Sequence, residues 1–246
     1  MGKHVFLTVF GISILAVVLG VYVSSLNKQE ISVTGFPWQI ESMDNGNTRV
    51  LDITLGQTTI AEAEQLFKEK AAINLFSSRP STSRSSAPRQ TAPRQTAEVQ
   101  TAEVQSTAVI EAYFDHVKVS GLKSKMVMSL DLSDETIQKI YNRGARISTL
   151  DSGTRKVTLL DEDIRLVRNS VIVGITYLPS IHLDAELIKN RFGEPAEKLQ
   201  DTKSDAIHWL YPAKGVDIAL SESEKEVIQY VKPKDFDKLV KPLKSL

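Results

Sequence analysis

The chain has 246 residues, with 30 Lys plus Arg, 30 Asp plus Glu and no Cys. A formal charge of zero argues against a general nucleic-acid binder, which needs a basic excess to neutralise phosphates. The missing Cys removes disulfides, thiolate nucleophiles and Cys-based metal sites together.

The first element is Val5–Val23, nineteen residues with no charge, amide or Pro, and only Thr8, Ser13 and Tyr22 polar. At about 1.5 Å per residue it would be roughly 28 Å long as a helix, close to the ~30 Å of bilayer hydrocarbon. A cleaved signal peptide is the alternative. Its apolar core is usually about 7–15 residues and ends at a small-x-small site, whereas Val23-Ser24-Ser25 is a poor one. The expectation is therefore an uncleaved single-pass inner-membrane anchor. Lys3 on the short side places the N-terminus in the cytoplasm and the body in the periplasm. Ala16 and Gly20 form a small-xxx-small pair, a candidate homodimer contact between two such helices.

After a polar tether, Phe36–Glu41 alternates apolar and polar, and Asn45-Gly46 supplies a tight turn before Val50–Ile53, which predicts a β-hairpin. Thr59 and Glu62 have capping-box spacing, opening a helix whose stripe is Ile60, Ala63, Leu66 and Phe67 and which ends by Lys70. Ala71–Phe76 reads as a strand. From 77 to 107 the chain is rich in Ser, Arg and Pro, then repeats APRQT, APRQT, AEVQT, AEVQS. It lacks the apolar side chains to offset an ordering cost of roughly 1–2 kcal/mol per residue, so a disordered loop is expected. Arg79, Arg84, Arg89 and Arg94 make it a candidate anionic-ligand loop, against the blander reading of a slippage-expanded insertion.

Order resumes at Val109–Val119, then Lys125–Leu132, whose Met126, Met128, Leu130 and Leu132 share a face. Ser133 caps a helix with Ile137, Ile140 and Tyr141 on one side, closed by Gly144 as a left-handed residue. Asp161-Glu162-Asp163 lacks calcium-loop spacing and reads as a solvated turn. Val171–Leu178 is a strand, and Asp184 caps a helix to Phe192 that Gly193 and Pro195 stop. Strands at Ile207–Tyr211, Val216–Leu220 and Val227–Val231 follow, then a short closing helix from Asp235. The fold class is thus α+β: a transmembrane anchor (1–28), a first helix-plus-meander unit (29–150) interrupted by the loop, and a second (151–246) with helix 184–192 and a three-stranded antiparallel meander.

The second unit resembles the small SmpA/OmlA-type lipoprotein of the outer-membrane β-barrel assembly machine. Its helix ends in Gly193-Glu194-Pro195 and is followed by three strands with aromatics on the first. A G-x-T turn, Gly56-Gln57-Thr58, begins the earlier helix. The resemblance implies two divergent copies of one module. The chain lacks that group's lipidated Cys, and no partner-binding residue carries over.

No H-E-x-x-H, G-x-S-x-G, phosphate-loop or dinucleotide glycine pattern occurs, and no cofactor is implied. The sequence reading is a non-catalytic, membrane-anchored periplasmic module for protein interaction or envelope assembly. The rival is an envelope-polymer enzyme with His182 or His208 beside an acid in a deep pocket. A further alternative is lipid or glycan binding through the Arg-bearing loop. Trp209, Tyr211 and Tyr230 are the candidate interaction residues. The preferred reading puts Trp209 and Tyr211 in the helix-packed core, with the partner surface nearby.

Overall fold

Alternating apolar residues build most of the strands, and the computed structural model describes residues 35–43, 46–78, 107–151, 153–202 and 204–244. A small sheet comes first: β1 (Glu41–Ser42), β2 (Thr48–Val50) and β3 (Ile53–Thr54). The predicted hairpin survives only as the short β1–β2 pair, with Glu41 opposite Arg49 and Ser42 opposite Thr48; Asp44 and Asn45 of its turn lie outside the described residues. Leu51 and Asp52, both at positive φ, make the tight turn into β3.

Helix α1 (Ile60–Phe67) starts at the Thr59–Glu62 capping box and stops at Lys68, whose φ is 53°. Then come β4 (Ala72–Ser78), β5 (Thr107–Val119), β6 (Leu122–Leu130), α2 (Asp134–Arg143), β7 (Arg146–Thr149), β8 (Arg155–Thr158), α3 (Asp161–Arg168) and β9 (Ile172–Pro179). The chain continues through α4 (Ala185–Phe192), β10 (Glu197–Gln200), β11 (Ile207–Tyr211), β12 (Val216–Leu220), β13 (Val227–Val231) and α5 (Asp237–Lys244).

The two-unit expectation is corrected here. Strands β4 to β13 form one ten-stranded sheet in the order β10-β11-β12-β13-β9-β6-β5-β4-β8-β7. Both meanders exist, but their last strands, β6 and β13, pair antiparallel with opposite edges of β9. The Val-Ile-rich β9 joins them into a single structure, and all the described residues fall within one compact unit, Val33–Leu246. Residues 150 and 151 lie in the turn between β7 and β8.

The anchor in that expectation is not among the helices seen: no helix of the described residues is long and apolar enough to cross a membrane. Val5–Val23, with Ala16 and Gly20, lies outside the described residues. So do Arg79, Arg84, Arg89 and Arg94. Their insertion leaves β4 at Ser78 and returns at Thr107, residues paired across one ladder.

One face of the sheet is covered. Ile73, Ala112, Met128, Ile175, Tyr230, Val216 and Tyr211 follow one another across seven strands, and all are buried. Directly opposed residues share a face, so this row is the spine of the core. Residues of the N-terminal segment and of α1–α4 complete the same cluster. Asp161-Glu162-Asp163 is not a solvated turn but the first turn of α3, where carboxylates favour the helix dipole. Asp163 is fully buried and accepts from Nε of Arg143 in α2 at 3.0 Å. Gly144 ends α2 without a left-handed turn, its φ being −52°. A Cβ there would lie 2.1 Å from Val157 Cγ1, so close packing is what requires glycine.

Candidate interaction face

The opposite face of the sheet is covered at one end only. Leu210 and Val231 point there, and α5 packs on them through Val240, with Phe236 just before it. Farther along, between α5 and β5, the face is open and forms a groove of about 650 Å³. Its floor includes Ser129, Val173, Thr176 and Gln229, while Val109 stands on one side and Leu239 on the other.

The depth of the groove comes from Gly174. Ser129, Gly174 and Val231 are successive members of one row on this face. With no side chain at its middle, the row dips. A Cβ at Gly174 would meet the Tyr230 carbonyl at 3.4 Å and Ser129 Cβ at 3.6 Å, ordinary contacts rather than clashes. The strand therefore does not need this glycine for backbone reasons, and a side chain there would fill the groove.

The α5 wall is cationic. Lys238 of α5 and Lys232 and Lys234 just before that helix line it beside Asp235, and Asp131 also borders the groove. A hydrogen bond from Lys238 holds the Asp235 carboxyl below its ordinary range, and the charges of Lys232 and Lys234 add to that. Burial pushes Glu111, on the same face of β5, upward. Beside it Tyr113 donates to Asp115 at 2.6 Å, and Lys125 pairs with Asp115 at 3.0 Å.

The residues singled out from sequence lie elsewhere. Trp209, Tyr211 and Tyr230 are all buried on the covered face. Tyr211 donates to the Gly193 carbonyl at 3.0 Å, and burial pushes its hydroxyl up to about 12. Tyr230 donates to the Pro37 carbonyl at 2.9 Å. Trp209 has the Lys198 ammonium 3.9 Å from its ring centroid.

Two histidines do meet acids. His208 Nδ1 lies 2.8 Å from Asp217, whose side chain is 2% exposed, and this pair raises His208 above its ordinary value against the opposing effect of burial. His182 Nδ1 lies 2.5 Å from Glu226, which also accepts from the Leu183 N–H. Neither histidine borders the groove over Gly174 or the two smaller ones near the N-terminal strands. Glu226 fixes the turn into α4, and Asp217 ties β12 to β11. His116 sits exposed at a bulge in β5, where Glu69 accepts from the N–H groups of Asp115 and His116 at 2.8 and 3.0 Å. That carboxylate replaces ladder partners the bulge removes. Among the described residues no group of three or more His, Asp or Glu is placed to hold a metal.

Gly174, Val173 and Ser129 escape a sequence reading aimed at aromatics. Their one signal is a lone Gly inside the β-branched run Val171–Leu178, which marks close approach or a dip in a strand. The chain matches no protein-family model, no curated protein and no solved structure, so geometry alone bears on function.

Proposed function

We propose that this chain is a non-catalytic interaction module of the cell envelope. The apolar run Val5–Val23 holds it at the inner membrane with the N-terminus cytoplasmic, and the body binds a protein partner in the periplasm. The observation that carries the reading is the groove over Gly174. It is an open, partly apolar trough on the sheet, bordered by three lysines, and it suits a short apolar segment of a partner flanked by acidic residues. Both histidine–acid contacts are tied to holding strands and turns, which favours binding over catalysis.

The test is in-cell crosslinking of the tagged full chain, comparing wild type with Gly174→Leu. The variant is expected to keep its melting temperature and lose the partner crosslink, and Lys234→Glu with Lys238→Glu should weaken it. A Gly174→Leu chain that crosslinks like wild type would remove the groove from the account. A reporter fused after Leu246 checks the compartment separately: activity in the cytoplasm would reverse the orientation.

A further inference from the structure

The two edges of the sheet are treated differently. At one edge β10 presents Glu197 and Lys198, Lys244 of α5 pairs with Glu197 at 3.3 Å, and Leu199 packs into the small cluster under α5. Charges and a covering helix are the usual guards of an edge strand. At the other edge β7, Arg-Ile-Ser-Thr, is exposed at every residue. It has no Pro, no Lys and no bulge in its pairing with β8, and it pairs on one side only among the described strands.

A core row also runs off this edge. Ile110, Leu75, Val157 and Ile147 are opposed across β5, β4, β8 and β7, and so share the covered face. The first three are buried, yet Ile147 is 52% exposed. Only another strand can both take up the free backbone edge and continue that row.

We propose that β7 pairs antiparallel with β7 of a second copy of this chain, about a two-fold axis normal to the sheet, with Ile147 opposite Ile147. Such an axis keeps each side chain on its own face, so the register must centre on a residue rather than between two. Centring on Ile147 sets apolar against apolar and brings the two core rows together. It also places Arg146 opposite Ser148, so no like charges face each other. This contact is separate from the groove over Gly174 and does not depend on it.

The absence of Cys makes the register directly readable. Opposed Cα atoms in such a pair stand about 4.5–5.5 Å apart, inside the ~4.4–6.8 Å range of disulfides. In the purified full chain, Ile147→Cys is expected to form an intermolecular disulfide under mild oxidation. Arg146→Cys or Ser148→Cys alone should do so about tenfold less, while a mixture of those two should crosslink as a heterodimer. All three side chains are exposed, so folding is not at risk, and Ile147→Lys should give a monomer with an unchanged melting temperature. Equal crosslinking at all three positions, none at any, or a wild-type chain that sediments as a monomer would each overturn the proposal.

Discussion

On either side of β9 the sheet is held by different chemistry. The β4–β8 side relies on carboxylates. Glu64 of α1 is buried and takes Arg168 of α3, Lys70 at 3.3 Å and the Ala71 N–H at 3.1 Å. Asp163 binds Arg143, and Glu69 fills the bulge in β5. The β10–β13 side relies on large aromatics whose hydroxyls reach backbone carbonyls, Tyr230 to Pro37 and Tyr211 to Gly193, and on the His208–Asp217 pair. On the first side α2 and α3 each bury one apolar residue, Ile140 and Val167, and charged pairs fix their packing. On the second, one helix and the N-terminal segment lie over rings that fill the space themselves.

The aromatic side should be the more sensitive to truncation. Trp209→Ala should cost about 3–5 kcal/mol, measured by denaturant unfolding, because a large buried ring leaves a cavity. Arg168→Met on the other side should cost about 1–3 kcal/mol, since Arg168 is partly exposed and buried Glu64 keeps Lys70 and one N–H as partners. A loss as large as that of Trp209→Ala would erase the distinction drawn here.

The pH dependence sharpens it. Asp217 raises His208 above its ordinary value of 6.5, so the folded chain holds this proton more tightly than the unfolded one. Its stabilisation is complete below about pH 6.5 and is lost as pH rises through the folded value. Thermal melts from pH 6 upward should show a decline that His208→Gln flattens. The smallest effect concerns Lys68, exposed and left-handed at the end of α1. Lys68→Gly should stabilise by about 0.5–1 kcal/mol by relieving that backbone cost.

Local rules were the legible part of this fold. The Thr59, Ser133 and Asp184 caps each accept the backbone N–H of the third residue of their helices, because capping depends only on neighbours. Strands with strict alternation, such as Met126–Leu130 and Val216–Leu220, are read from their own residues. What no local rule reveals is which edges pair. β9 is apolar on both sides, and nothing in its residues says that it bridges two meanders rather than opening the second. α3 was hidden because Leu160 at its start offers no side-chain cap, and Asp163 becomes buried only once Arg143, twenty residues earlier, is brought to it. The groove was missed for a similar reason. Gly174 is a dip only between Ser129 and Val231, which come from two other strands.

Pairing through β9 makes the strands on both of its sides one cooperative sheet. Amide hydrogen exchange in Trp209→Ala checks this, because the substitution strikes only the β10–β13 side. A single sheet predicts that protection falls together in β11–β13 and in β4–β6. Rapid exchange confined to β10–β13, with β4–β6 protected as in wild type, would contradict it.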